Sequence, residues 1–192
     1  MPLRPLQVGA IVLAAGSGTR MGMPKLRLQI GEKSYLEHIL DALHQENIAP
    51  VVCIIAMEQK EWARPFAQQA ALVVNPRPRE GMLSSIRLGV TALRDCAGLF
   101  IVPVDHPFVG AETYGSLKRA FAANPDSIVK PVWHGQSGHP LIIPQRLFEA
   151  IRLSAADTTL RQVLRQTDER PLYVKVEDAG ILKNINKKSD LP

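Results

Sequence analysis

The chain is read as an α/β protein with a mostly parallel central sheet, on three observations. Short apolar runs alternate with segments of helical periodicity along all 192 residues, the pattern of strands joined by crossover helices. The first such run, Val8–Leu13 (VGAIVL), contains no polar residue, as a strand covered on both faces requires. Glycines and prolines punctuate the segments without collecting into a linker, so one domain is expected over 1–192.

Taken in order, Val8–Leu13 is the first strand and a glycine-rich loop follows it. Ser34 and Glu37 have the spacing of a capping box, and Leu36, Ile39, Leu40 and Leu43 line one face of the helix behind it. Val51–Ala56 (VVCIIA) predicts a second buried strand, 59–69 a helix, and Ala71–Val74 a short third strand. Leu83, Ile86, Val90 and Leu93 mark a helix after Gly81, and Leu99–Val104 (LFIVPV) the next central strand. Pro103 cannot donate to a ladder, so it belongs at that strand's end or at a bulge. Tyr114, Leu117 and Phe121 give a further helix face, 127–132 a strand, and His139–Ile143 a strand opened by proline. Leu160, Val163 and Leu164 predict a helix capped near Asp157, and Leu172–Val176 alternates like a last strand at the sheet's edge.

Composition narrows the function classes. With 46% apolar and 21% charged residues the chain can bury a full core and is not a disordered or fibrous type. The net charge of +5 is local. Residues 1–31 carry Arg4, Arg20, Lys25 and Arg27 and no acid, 32–180 carry 16 basic against 17 acidic side chains, and 181–192 three against one. A neutral middle and 5% aromatics offer neither a long basic stripe nor stacking platforms, so no nucleic-acid partner is expected. The apolar run from Val8 to Ala15 is too short to span a bilayer and no cleavage-type signal precedes it, so no membrane association and a cytoplasmic location are expected. Cys53 and Cys96, without metal-ligand spacing, read as reduced core residues, with a single disulfide as the alternative.

The stretch Leu13, Ala14, Ala15, Gly16, Ser17, Gly18, Thr19, Arg20, Met21, Gly22, Met23, Pro24, Lys25 carries the most chemical information. Glycines let backbone amides turn toward a ligand, and an amide-lined loop after a strand suits phosphates, with Arg20 and Lys25 adding charge on an acid-free segment. It is not a Walker loop, since no Gly-Lys-Ser/Thr follows. It also misses the dinucleotide fingerprint. Met21 stands where the third glycine belongs, and no acid closes the second strand before Glu58, which argues against a nicotinamide-dependent oxidoreductase. Asp105 stands just past an apolar strand, so its carboxylate is expected at the strand's carboxyl end, where open α/β sheets bind ligands and a hard Mg²⁺ takes one or two protein oxygens. Ser84 and Ser85, after Gly81, suit either nucleotide contacts or ordinary helix capping. No Ser-His-Asp arrangement is recoverable, and hydrolase chemistry has no support.

The loop resembles the LAAGxSxRMGxxK signature of the molybdenum-cofactor nucleotidyltransferase family, within the GT-A-like nucleotide-diphospho-sugar transferase superfamily. Four further segments resemble it in order: Asn75-Pro76 with Gly81–Ile86, Val104–Pro107, Gly138-His139-Pro140, and Asn184-Ile185-Asn186. The resemblance implies a three-layer Rossmann-like sandwich, a Mg²⁺-nucleoside triphosphate substrate, and transfer of a nucleotidyl group to a phosphorylated acceptor with release of pyrophosphate. Leu13, Ala14, Ala15, Gly16, Ser17, Gly18, Arg20, Lys25, Asn75, Ser84 and Ser85 are thereby expected at the nucleotide. Arg20, Lys25 and Asp105 are expected in catalysis, Asp105 and Asn186 at the metal, and His106 and His139 on the acceptor side. His106 replaces a glutamine frequent in the family. Asn184-x-Asn186 resembles the guanylyltransferase branch, where other members carry Asp at residue 186's place, and the last motif runs on as Lys187-Lys188-Ser189-Asp190.

The cytidylyltransferase branch is the one most resembled, because guanylyl-transferring relatives tend to carry Leu-Ala-Gly-Gly where this chain has Leu13-Ala14-Ala15-Gly16. A methyl at residue 15 would narrow the pocket against a purine by roughly 1–3 kcal/mol. CTP, a molybdenum-bearing molybdopterin or other small phosphorylated acceptor, and a transient contact with a recipient molybdoenzyme follow from the resemblance. A guanylyltransferase or a sugar-phosphate nucleotidyltransferase of the same superfamily is the alternative, and from another class a non-catalytic nucleotide- or cofactor-binding chaperone.

Overall fold

The computed structural model describes residues 6–16, 24–167 and 170–185. Strands β1 (Val8–Leu13), β2 (Gln29–Ile30) and β3 (Lys33–Ser34) precede helix α1 (Tyr35–Gln45), followed by β4 (Val51–Ile55), α2 (Lys60–Ala63), β5 (Ala71–Val74) and α3 (Met82–Ala92). Then come β6 (Gly98–Pro103), α4 (Ala111–Ala123), β7 (Val129–Trp133), β8 (Gln136–Ser137), β9 (Leu141–Pro144), α5 (Phe148–Leu153), α6 (Leu160–Arg165) and β10 (Leu172–Lys175).

The main sheet has the order β10-β7-β9-β6-β1-β4-β5, with β8 attached to β7. β1, buried at all six positions, lies between β4 and β6 and runs parallel to both. Side chains of successive β1 residues alternate between two apolar layers. Val8, Ala10 and Val12 join Leu36, Ile39, Leu43, Tyr114, Leu117 and Phe121 of α1 and α4. Ile11 and Leu13 join Leu83, Ile86 and Val90 of α3, Phe148 and Ile151 of α5 and Val163 of α6. Each such buried Leu, Ile or Val contributes about 1.5–3 kcal/mol relative to exposure, which is why the uninterrupted apolar runs become the central strands of a three-layer sandwich.

Local signals explain the helix starts. Glu37 N–H donates to Ser34 Oγ at 3.3 Å and Ser34 N–H to Glu37 Oε2 at 2.7 Å, the expected capping box. Pro103 ends β6, where its missing N–H costs nothing. Two expectations are corrected. The segment 59–69 is no continuous helix: Pro65 lacks the N–H that a longer helix would need, and α2 is one turn flanked by 3₁₀ turns at Met57–Gln59 and Arg64–Gln68. Helix α6 is capped by Thr159, two residues beyond Asp157, through a second box in which Gln162 N–H donates to Thr159 Oγ1 and Thr159 N–H to Gln162 Oε1. The sheet is mostly parallel, as expected, with β9 inserted antiparallel to both β6 and β7, Ile101 opposite Leu141 and Val129 opposite Ile142.

Both cysteines are buried and free, and burial pushes the Cys53 thiol up to about 12. Among the described residues no helix is long and apolar enough to cross a membrane.

Candidate active site

The carboxyl ends of β1 and β6 lie side by side, Leu13 opposite Pro103, so whatever follows each strand emerges at one place on the sheet's edge. After β1 only Gly16 is exposed; Leu13, Ala14 and Ala15 are buried in the two apolar layers. The Leu13 carbonyl accepts from Val104 N–H at 3.2 Å and Ala14 N–H donates to the Ile54 carbonyl at 2.9 Å, which locks the loop's root. The Ala15 methyl belongs to the layer under α3, so this stretch offers a ligand main chain more than side chains. Ser17, Gly18 and Arg20 lie outside the described residues, as does Asn186.

The loop's return is described from Pro24. Lys25 opens a 3₁₀ turn, Lys25–Arg27, anchored by buried Leu26 and by Arg27, whose guanidinium sits 5.5 Å from the Trp62 ring centroid. From there Lys25 Nζ reaches Asp105 Oδ2 at 2.8 Å, both side chains 20% exposed. Eighty residues separate the partners in sequence, and both were expected in catalysis. The Asp105 carbonyl accepts from Ile185 N–H at 2.9 Å, which carries the Asn184-Ile185 segment to the same edge.

Asn75, Ser84 and Ser85 come together as expected, but they hold one another. Asn75 Nδ2 donates to Ser84 Oγ at 2.8 Å and Ser85 Oγ at 2.9 Å, while Asn75 Oδ1 accepts from Arg77 N–H at 2.8 Å. Ser84 Oγ in turn donates to the Gly81 carbonyl at 2.7 Å. All three side chains are buried, and they fix the turn at Gly81, whose φ of +88° only glycine adopts without strain.

On the other flank, His106 is buried with its Nε2 3.9 Å from Asp105 Oδ1, too far for a hydrogen bond, and its ring centroid is 5.1 Å from that of His139. Burial lowers the His106 pKa despite the Asp105 charge, and burial followed by His106 lowers that of His139 to about 4. Both rings therefore stand neutral at neutral pH. The Nδ1 atoms of both are buried without a hydrogen-bond partner. His139 N–H donates to the Ile181 carbonyl at 3.0 Å, and Gly138 is required beside it because a Cβ there would overlap that carbonyl. His139 also lines a cleft of about 1250 Å³ that opens between Gly81 at the start of α3 and the helix α6.

Gln59 is a site residue the sequence reading missed. It is fully buried, accepts from Ala56 N–H at 3.0 Å and donates to the Gly16 carbonyl at 3.3 Å, bracing the loop from behind. The only hint in sequence was a glutamine just beyond an apolar strand. The cleft cations Lys130 and Arg161 were missed as well, since nothing in sequence brings β7 and α6 together.

The family described as MobA-like NTP transferase domain matches residues 10–171. The chain is 25% identical over 187 residues to the molybdenum cofactor cytidylyltransferase of Escherichia coli (strain K12), covering 95% of this chain and 93% of the relative. It is 24% identical over 190 residues to a probable molybdenum cofactor guanylyltransferase of Opitutus terrae, covering 93% and 90%. Among solved structures it shares the fold of a nucleotidyl transferase from Methanothermobacter thermautotroptrophicus, with TM-score 0.77, 20% identity and 96% and 94% of the two chains covered. It likewise shares the fold of a 4-diphosphocytidyl-2C-methyl-D-erythritol synthase from Anaerococcus prevotii, with TM-score 0.76, 17% identity and 95% and 92% covered. These neighbours make the sandwich GT-A-like. With most of its length matched, and with a basic glycine loop meeting a strand-end aspartate, the chain belongs to the MobA-like NTP transferase family and is a nucleotidyltransferase.

Proposed function

We propose that the protein transfers CMP from CTP to a small phosphorylated acceptor, molybdenum-bearing molybdopterin foremost, and releases pyrophosphate. The observation that carries this reading is the 2.8 Å pair between Lys25 and Asp105 at the joined ends of β1 and β6. It sets a cation and a carboxylate at the end of β1, beside the exposed Gly16, as transfer of a nucleotidyl group needs. The acceptor phosphate, already ionised at neutral pH, attacks the α-phosphorus in line, and the bond to the leaving pyrophosphate breaks. No strong general base is needed, and His106 and His139, both neutral, supply hydrogen-bonding atoms without charge. Catalysis then rests on positioning and on charge stabilisation by Arg20 and Lys25 at the β- and γ-phosphates.

Asp105 suits a hard cation. Among the described residues no three His, Cys, Asp or Glu side chains converge, so a Mg²⁺ held by Asp105, with Asn186 as a second oxygen, would complete its shell with the nucleotide's phosphates, as Mg²⁺ commonly does. When bound it supplies Lewis-acid stabilisation of the transferred phosphoryl group.

The base rests on the likeness of Leu13-Ala14-Ala15-Gly16 to the cytidylyl-transferring branch and not on a contact of the Ala15 methyl, which packs under α3. The named relatives transfer cytidylyl and guanylyl groups at nearly equal identity, so overall identity does not choose between them. A cytoplasmic location, a single domain and a transient contact with a recipient molybdoenzyme go with this reading. Pyrophosphate release measured across CTP, GTP, ATP and UTP with a panel of phosphorylated acceptors tests it. Release is expected to be fastest with CTP and a pterin phosphate, and Asp105→Ala to reduce it on the order of 10²–10³-fold. Preference for GTP overturns the base, and no release with any pair leaves the non-catalytic nucleotide-binding role.

A further inference from the structure

Between β10 and Ile185 the chain crosses the carboxyl edge of the sheet, and the way it is tied there bears on Asp105. β10 runs parallel to β7, and β7 is brought parallel to β6 by two antiparallel steps across β9, so the carboxyl ends of β10, β7 and β6 share one edge. Residues 176–185 return along that edge as a strap from β10 to the end of β6, with Val176, Ile181 and Ile185 buried in the apolar layer of α1 and α4. Apolar packing has no direction and does not fix where along the edge the strap lies. Contacts with the loop 105–110 do. Ile185 N–H donates to the Asp105 carbonyl at 2.9 Å, and Gly180 lies so close to Phe108 that a Cβ there would overlap the Phe108 carbonyl. The third contact is Asp178. Its Oδ2 accepts from Gly110 N–H at 2.9 Å and from the Thr113 hydroxyl at 2.7 Å, both at the start of α4, while its Oδ1 accepts from Gly180 N–H at 2.8 Å within the strap.

We propose that Asp178 is a positioning residue for Asp105, its carboxylate bridging the strap to the far end of the loop that Asp105 begins. This rests on the reading of Asp105 as the metal-holding carboxylate and adds to it the residue that sets where that carboxylate stands. The loop is held at its first residue by Ile185, at its middle by Gly180 and at its last residue by Asp178, so a strap that slides along the edge takes the Asp105 end with it. Helix capping alone makes a different demand. The N-cap of α4 is Gly110, which brings no side chain of its own, and Asp178 serves in its stead. Asparagine caps a helix as well as aspartate does. It has one acceptor oxygen, however, so it can receive Gly110 N–H or Gly180 N–H and not both. A cap survives Asp178→Asn, and a bridge does not.

Asp178→Asn and Thr113→Val are compared with the native full chain by two measurements: amide hydrogen exchange at Ile185, followed by NMR, and the affinity for Mn²⁺ in the presence of CTP, followed by electron paramagnetic resonance. In Asp178→Asn the Ile185 amide should exchange about tenfold faster, and the Mn²⁺ dissociation constant should rise about tenfold, the low end for a group that orients a metal ligand from outside the metal's own shell. Thr113→Val removes the hydroxyl bond to Oδ2 and leaves the bridge between Gly110 and Gly180, so both readouts should stay at their native values while the melting temperature falls. Native exchange or native Mn²⁺ affinity in Asp178→Asn overturns the proposal. An equal change of both in Thr113→Val overturns it too, since the effect would then be the stability of α4 alone. If the native chain binds no Mn²⁺ with CTP, the nucleotide reading fails. The Ile185 amide then decides alone: faster exchange in Asp178→Asn upholds the bridge to Asp105, and unchanged exchange removes it.

Discussion

Asn75, Ser84 and Ser85, in the half built on β4, β5 and α3, and His139, Lys130 and Arg161, in the half built on β7, β9 and α6, are polar side chains flanking one reacting centre. The first group is closed on itself. Both Asn75 functions and the Ser84 hydroxyl are satisfied by protein, and Gln59 braces the Gly16 carbonyl in the same manner. In the second group His139 Nδ1 is buried without a hydrogen-bond partner, and Lys130 and Arg161 line a cleft together with Glu80 and Asp157. The first group is thus held in shape by its own hydrogen bonds, whereas the second leaves a buried imidazole nitrogen without a protein partner.

The largest expected effect falls at the junction of the halves. Lys25→Ala removes the cation beside Asp105, and turnover at saturating nucleotide should drop on the order of 10²–10³-fold with the circular dichroism spectrum unchanged. Steady-state kinetics checks it, and near-normal turnover would take Lys25 out of the chemistry.

How far this division was legible beforehand differs between the halves. β1, the glycine loop, Lys25 and Asp105 are contiguous signals: apolar runs set the strands, and the residue after a strand must emerge at its carboxyl end. The mutual bonding of Asn75 with Ser84 and Ser85 was not legible, because a hydroxyl nine residues away serves a ligand or an amide with equal chemistry. The second half was legible only in its pieces. That β9 inserts antiparallel between β6 and β7, and so turns His139 toward His106, depends on which strands pair, a choice that a short run such as HPLII does not encode. Helix α5 escaped notice because its six residues are too few for a period to show.

A second effect, in the second half, is pH-dependent. His139 titrates at about 4 when folded against 6.5 as the reference value, so as pH falls below 6.5 the unfolded chain takes up the proton first. Stability should be full above pH 6.5, decline between 6.5 and 4, and level off below 4 as far as this residue is concerned, by at most about 3 kcal/mol. His139→Gln should flatten that limb. Thermal melts at pH 7, 5.5 and 4 in chelator-containing buffer test this, and an equal acid decline in both proteins would show that His139 is not buried neutral.

The smallest expected effect tests whether the closed half is closed. Removing the Asn75 amide strips two serine oxygens of a donor and Arg77 N–H of an acceptor inside a buried cluster, so Asn75→Ala should destabilise by about 2 kcal/mol, a drop of roughly 4–8 °C in Tm. If Asn75 acts by holding the Gly81 turn, its loss and that of the Ser85 hydroxyl are not independent. Asn75→Ala in a Ser85→Ala background should then cost less than in the native chain by about 0.5–1 kcal/mol. CTP affinity should fall only as far as the turn loosens, a few-fold. A variant that keeps its melting temperature yet loses CTP binding a hundredfold would mean that Asn75 touches the nucleotide itself.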